Sequence, residues 1–397
     1  MSRKAISFSS PTVKISRRGA ERLKGGHVWV YRSDVISAEG ALPGAMVSVK
    51  DHRSKFVGTA LYSTASQIAL RIISNEAVPD LSALIRQRIN NALEYRELLV
   101  RDTDAYRVIF SEGDFLPGLI VDRYNDLLSL QVLTQAMDTE PIRQTVLGEL
   151  TDRLKPESIA ERVDPKIREL EQLPPRASGL LLGEKNSTIF TMNGLKFHYD
   201  ALSGQKTGAF LDQRENYAAA AQYARGEALD VFCYHGGFAL HMAEKCSKVT
   251  GVDSSRPALE VAERNAALNG REIEWIEANA FDLLRDYAAA GNKYDVIVLD
   301  PPAFAKSKKN LDTALRGYKE LNLRALKMLR PGGTLVTCSC SYHVSPAQFQ
   351  EVVADSARDV HRNLRLLENR TQAKDHPILL TVPETAYLKC FLLSVSY

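Results

Sequence analysis

At 397 residues the chain exceeds what one hydrophobic core accommodates, so two or three domains are expected, each able to fold without staples. Five cysteines (Cys233, Cys246, Cys338, Cys340, Cys390), an odd number with no apolar leader after MSRKAISFSS, argue against a disulfide framework and for a reducing, cytoplasmic setting; no apolar run approaches the ~18 residues that suggest a membrane span. The net charge of +3 is uneven, since residues 1–75 hold twelve Lys and Arg against four Asp and Glu, about +8, leaving about −5 for the rest.

That basic segment suits a polyanion such as a phosphate backbone, and a solvated basic face accounts for the charge equally well. Within it, GGHVWVYRSDV (25–35), MVSVK (46–50), KFVGTALYS (55–63) and QIALRIIS (67–74) have strand-like patterning, with DHRS turning the middle two into a hairpin. This small all-β unit resembles a PUA domain, a barrel found on RNA-modifying proteins. The resemblance implies Arg17, Arg18, Arg22 and Lys24 as phosphate contacts, while ordinary surface solvation explains each one singly.

Next, DLSALIRQRINNALEYRELL (80–99) has the spacing of an amphipathic connector helix. FLPGLIVDRYNDLLSLQVLT (115–134) predicts two strands around RYND, and a helix begins near Asp138, so a mixed α/β unit follows the barrel. PESIAERVDPKIRELEQLPPRASG (from 156) is polar and proline-flanked, either an ordered insertion or a mobile loop. In TIFTMNGLKFHYD (188–200), Asn193-Gly194 marks a two-residue hairpin turn. The expected divisions are 1–78, 79–195 and 196–397.

From about residue 200, ALDVFCY (228–234), KVTGVDS (248–254), IEWIEAN (273–279), YDVIVLD (294–300) and GTLVTCS (333–339) alternate with helical segments, the cadence of a doubly wound α/β sheet. Such sheets bind ligands beyond the carboxyl ends of their strands. Asp230 lies in the first strand with Gly236-Gly237 after it; Asp253, Asn279 and Asp300 end the next three. A carboxylate after the second strand suits ribose hydroxyls, and glycines after the first admit a ligand to the backbone, so a nucleoside-containing cofactor is expected. HGGFAL lacks the G-x-G-x-x-G spacing of nicotinamide-binding folds, which favours the other class with this plan, the S-adenosylmethionine-dependent methyltransferases.

LDPPAFAKSK (299–308) sets Asp300 before two prolines and resembles the base-binding motif of methyltransferases that act on nucleic acids. The resemblance implies that Asp300, Pro301 and Pro302 face the base, that Phe304 stacks or packs beside it, and that Lys306 contacts the substrate. TLVTCSCSYHV (334–344) then places Cys338 and Cys340 on one face of an extended segment. Small buried hydrophobes are the plain reading of both; Cys-x-Cys without a second pair gives no metal site.

FSEGDFLPGLIVDRYND, GQKTGAFLDQREN (204–216), DVFCYHGGFAL, LDPPAFAKSK and TCSCS occur in this order, and over nearly its whole length the chain resembles bacterial large-subunit (23S) rRNA 5-cytosine methyltransferases with an N-terminal PUA domain. The resemblance implies S-adenosylmethionine as cofactor and ribosomal RNA, free or in a subunit precursor, as partner. No membrane role is implied, and the oligomeric state stays open, a homodimer included. It puts Gln213 and Arg214 at the methionine end of the cofactor, Asp230, Phe232 and Gly236 in the first cofactor loop, and Asp253 on the ribose. Asn279 stands where aspartate is usual, meeting the adenine amino group through its amide oxygen.

C5 of cytosine is a poor nucleophile until a thiolate adds to C6, which accounts for a cysteine; Asp300 assists at the N3 and N4 edge. The Thr-Cys-Ser order of related enzymes matches Thr337-Cys338-Ser339 and favours Cys338 as nucleophile, with Cys340 the alternative. Two rivals remain: methylation of an exocyclic amine of adenine or guanine, which needs no cysteine, and a non-catalytic RNA-binding assembly factor.

Overall fold

The computed structural model describes residues 11–202, 209–305 and 308–396. Strands β1 (Thr12–Ile15), β2 (Trp29–Tyr31), β3 (Val35–Ser37), β4 (Met46–Lys50), β5 (Phe56–Tyr62) and β6 (Ile68–Ser74) form one sheet in the order β2-β6-β5-β4-β1-β3. Their alternation sends Val13, Ile15, Val30, Val47, Val49 and Leu70 inward. The helix Arg17–Lys24 is capped by Ser16, whose Oγ accepts from the Gly19 N–H at 3.1 Å. β1 and the short β3 carry too few residues for a period-two signal, and sequence patterning misses both.

After the helix Leu81–Leu99 come β7 (Ala105–Phe110), β8 (Leu119–Tyr124), β9 (Leu127–Val132), β10 (Ser158–Glu161) and β11 (Gly179–Leu182), in the sheet β11-β10-β9-β8-β7. The polar stretch after residue 156 is ordered: β10 runs parallel to β9, and charge pairing fastens the segment between β10 and β11. Asp138 takes Arg143 and Arg168 at 3.1 and 3.0 Å, and Glu161 takes Arg143 at 2.7 Å. β12 (Ser187–Met192) and β13 (Leu195–Asp200) form the expected hairpin, with Met192 opposite Leu195 and φ of 51° and 81° at Asn193 and Gly194. Both values are positive, as a type I′ turn requires.

The last sheet holds β14 (Gly226–Val231), β15 (Cys246–Asp253), β16 (Glu274–Glu277), β17 (Tyr294–Leu299), β18 (Leu329–Ser339), β19 (Asn363–Arg370) and β20 (Lys389–Ser396), in the order β16-β15-β14-β17-β18-β20-β19. β20 runs antiparallel to β18 and β19, and the other neighbouring pairs are parallel. Consecutive residues Ala228 and Leu229 enter different apolar clusters, so both faces of the sheet are covered. Order reverses between β14 and β17, which opens a crevice above their carboxyl ends. No helix among the described residues is long and apolar enough to cross a membrane.

A buried ionic junction joins the middle and C-terminal units. Asp375, with no exposed surface, accepts the Arg107 N–H at 2.8 Å and the Arg214 guanidinium at 3.1 and 3.3 Å, while Arg96 donates to its main-chain oxygen at 2.7 Å. Burial pushes the Asp375 carboxyl upward, but His376, Arg214 and the Arg107 N–H outweigh it and hold the group well below the usual carboxylate range. Removing one member of such a pair strands the other's charge, so Asp375→Ala should destabilise the protein by about 3–5 kcal/mol. A folded pKa below the unfolded one means that this contribution is complete above the ordinary carboxylate pKa and fades as pH falls beneath it. Urea midpoints for wild type and mutant should therefore differ widely at pH 7 and converge toward pH 2; equal midpoints at pH 7 would contradict the assignment.

Candidate active site

The chain leaves β14 in a sharp bend. Phe232 and Tyr234 have φ of 68° and 49°, a left-handed backbone that non-glycine residues rarely adopt, and the Phe232 and Cys233 N–H groups hold it by donating to Val252 O at 2.9 and 3.0 Å. The glycines after the bend serve packing within the protein. A Cβ on Gly236 would stand 2.7 Å from the Trp275 ring and one on Gly237 2.4 Å from Tyr217, so their bareness admits aromatic side chains.

Three carboxylates gather at this bend. Asp230 is buried; Oδ2 accepts the Ala239 N–H at 2.8 Å, and Oδ1 has no partner. Burial, then Asp300 and Asp253, push its pKa up to about 8 against the lowering effect of the Ala239 N–H. Asp253 accepts from Tyr234 N and Ser255 N, each at 2.9 Å, which fixes its orientation at the end of β15. Asp300 follows β17, and its Oδ2 accepts from Gln213 Nε2 at 3.0 Å. A crevice beside Asp300 is bordered by Phe210, Tyr217, Phe232, Tyr234 and His235. Sequence reading missed Phe210, Tyr234 and His235, although Tyr234-His235 adjoins the motif and the two rings stack at 3.7 Å.

Two of the expected contact residues are engaged within the protein. Arg214 is 2% exposed and points into the Asp375 junction, away from the crevice that its neighbour Gln213 borders through Asp300. The Asn279 oxygen caps the helix Ala280–Ala290, accepting from Phe281 N at 2.9 Å and Asp282 N at 3.3 Å. With that oxygen engaged, Asn279 presents its Nδ2 donor, which cannot accept from an adenine amino group.

The two thiols differ sharply. Sequence order favours Cys338, yet its sulfur lies in the interior with no exposed surface, opposite Cys390 in the β18–β20 register. Burial first, then Cys390 and Asp300, push its thiol well above the ordinary value, and a hydrogen bond with Gln213 only partly opposes them. β18 ends at Ser339, so Cys340 falls one residue beyond the sheet, half-buried, with Sγ 3.9 Å from Pro301 O. A polar chain fastens the two loops together. Ser339 Oγ donates to Tyr318 Oη at 3.0 Å, Tyr318 Oη meets Ser341 Oγ at 2.9 Å, and Ser341 Oγ accepts the Ala305 N–H at 3.1 Å.

Pro301 is buried and Pro302 exposed. Half-buried Phe304 packs on Tyr318 and Phe281, centroids 4.8 and 6.0 Å apart. Lys306 lies outside the described residues. On the N-terminal helix, Arg18 and Arg22 both engage buried Asp34, at 2.7 and 2.9 Å, and Arg22 also covers the Tyr31 ring. Arg17 pairs with exposed Glu21, Lys24 is exposed, and Arg18 stays 65% exposed despite its bond to Asp34, which leaves these three as the accessible cations of the four. His27 Nε2 meets Glu384 at 3.1 Å and so docks this unit beside the C-terminal sheet.

Comparison with known proteins decides the family. Residues 143–392 match S-adenosylmethionine-dependent methyltransferases, and residues 13–75 match a PUA-like domain. The chain is 40% identical over 384 residues to ribosomal RNA large subunit methyltransferase I of Shewanella denitrificans, covering 94% of this chain and 96% of that protein. With the Klebsiella pneumoniae protein of the same description it shares 37% identity over 394 residues, 96% and 97% of the two chains. The chain belongs to the ribosomal RNA large subunit methyltransferase I family. The fold matches that of SMU.776, a candidate methyltransferase complexed with SAH, at a TM-score of 0.84 and 19% identity over 97% of this chain and 100% of that one.

As in its family, the cofactor is S-adenosylmethionine. The site suits it: Asp253 offers an oriented carboxylate for vicinal hydroxyls, and the crowding of Asp230 with Asp300 and Asp253, which helps raise the Asp230 pKa, is relieved by a cationic methionine end. Losing hydrogen bonds to a charged acceptor costs about 1.5–3 kcal/mol each, so Asp253→Ala should weaken cofactor binding roughly tenfold to hundredfold in calorimetry. Unchanged affinity in a folded mutant would remove Asp253 from the site.

Proposed function

We propose that the protein transfers a methyl group from S-adenosylmethionine to C5 of a cytosine in 23S ribosomal RNA, with Cys340 as the nucleophile. The name shared by its relatives supports the RNA class. The single observation that carries the chemistry is a half-buried thiol one residue past β18, against the main chain of the Asp300-Pro301-Pro302 loop. A methyltransferase acting on an exocyclic amine has no use for a sulfur there. The same reading divides the chain into an RNA-binding unit (1–78), a middle unit (79–195) and a catalytic unit (196–397).

Cys340 adds as thiolate to C6 of the target cytosine, and the electron density displaced through the ring makes C5 nucleophilic. Asp300, steadied by Gln213 and entering as the carboxylic acid, gives its proton to N3 as addition places negative charge there, and takes it back when the sulfur leaves C6. When bound, S-adenosylmethionine supplies the electrophilic methyl. C5 then releases its proton, the C6–S bond breaks with its electron pair returning to sulfur, and the aromatic ring is restored. Pro301 and Pro302 fix φ on both sides of the base edge, while Asp253, Asp230 and the Phe232–Gly236 bend hold the cofactor. Arg17, Arg18 and Lys24 supply phosphate contacts away from the reaction.

Cys340→Ala should abolish methylation with cofactor affinity intact, whereas Cys338→Ala should retain activity. RNA with 5-fluorocytosine at the target should trap a covalent complex that survives denaturing gels, because fluorine cannot leave C5 as a proton does. Adduct with Cys340→Ala and none with Cys338→Ala would exchange the two roles. If both mutants methylate natural RNA normally, the exocyclic-amine reading replaces this one.

A further inference from the structure

Lys389 opens β20 directly opposite Ser339, the last residue of β18, and so faces the turn that carries Cys340. The residue is 6% exposed. Its Nζ donates to the main-chain oxygens of Ser341 at 2.7 Å and Tyr387 at 2.9 Å, and among the described residues no carboxylate stands within ion-pair distance of it. A buried ammonium held only by carbonyl dipoles is poorly compensated. Burial accordingly lowers the Lys389 pKa to about 8, and the opposing influence is the negative charge of Cys340.

The other titratable groups nearby are already engaged. The Tyr318 hydroxyl joins Ser339 and Ser341, the Tyr387 hydroxyl donates to Asp212 at 2.6 Å, and Asp300 accepts from Gln213. A lysine in this position is well suited to exchange a proton with a neighbouring thiol.

We propose that Lys389 activates Cys340: its neutral amine accepts the Sγ proton, and the ammonium so formed holds the thiolate until it adds to the base. The S–H bond breaks as an N–H bond forms, so the thiol and amine become a thiolate–ammonium pair. When sulfur later leaves C6 with the bonding electron pair, it returns to the same ammonium. The C5 proton passes separately to solvent. This inference rests on Cys340 being the nucleophile, and its test separates the two claims.

The test measures iodoacetamide alkylation of Cys340 against pH in the full-length protein, read by peptide mass spectrometry, together with single-turnover methylation and cofactor affinity. In Lys389→Met the alkylation midpoint should rise by about one pH unit or more, and the methylation rate near pH 7.5 should fall about tenfold or more and recover as pH increases. Cofactor affinity should not change. Lys389→Arg keeps the charge without a proton-accepting amine, so if Lys389→Met does not fold, folded Lys389→Arg should still methylate about tenfold or more slowly near pH 7.5, and a wild-type rate in it overturns the proton-accepting role of Lys389. An alkylation profile that is the same in wild type, Lys389→Met and Lys389→Arg, with Cys340→Ala still inactive, overturns the role of Lys389 and leaves the nucleophile standing. A shifted profile with full methylation by Cys340→Ala overturns both as an account of catalysis.

Discussion

Asp375 is wholly enclosed, and its carboxylate stays charged there because Arg214, His376 and the Arg107 N–H surround it. Arg107 comes from β7, Arg96 from the helix Leu81–Leu99 and Arg214 from the helix Arg214–Gln222, so one short segment between β19 and β20 fixes three elements at once. The consequence for chemistry is one residue away. Gln213 immediately precedes Arg214, and with the arginine locked its amide is held at Asp300 Oδ2 while its own oxygen accepts from Asn216 at 2.7 Å. An ionic junction between domains thereby sets the orientation of Asp300.

A second constraint fuses the two motif loops. Ser339, Tyr318 and Ser341 connect the end of β18 to the main chain at Ala305, so the Asp-Pro-Pro loop and the thiol loop are tied together. Strand termination then separates the thiols. Both lie on one face by period two, but Cys338 is still inside the ladder opposite Cys390, whereas Cys340 is past its end. An identical side chain two residues later therefore meets a different dielectric, and reactivity follows the environment.

Local signals were legible in the sequence and long-range ones were not. Asn193-Gly194 demands a tight turn whatever surrounds it, and the doubly wound cadence and the acids ending its strands follow from hydrophobic runs that each span a few residues. The partner of Arg214 is 161 positions away, so nothing near the motif reveals that its charge faces Asp375. Asn279 reads as a ligand contact or a helix cap from the same local pattern, and only the 2.9 Å bond to Phe281 N distinguishes them. The alternating polar residues of β19 hide an edge strand, and the register that sets Lys389 opposite Ser339 exists only once β20 has inserted between β18 and β19. Likewise, the order Thr337-Cys338-Ser339 says nothing of where β18 ends.

The central claim is that this fold places one thiol and one acid so as to methylate C5 of cytosine in large-subunit ribosomal RNA. Its most direct test is nucleoside mass spectrometry on 23S ribosomal RNA from cells lacking the gene, with and without a plasmid copy. The account predicts the loss of 5-methylcytidine at one position, restored by the wild-type copy. Loss of a methylated adenosine or guanosine amine, or an unchanged modification profile, would contradict it.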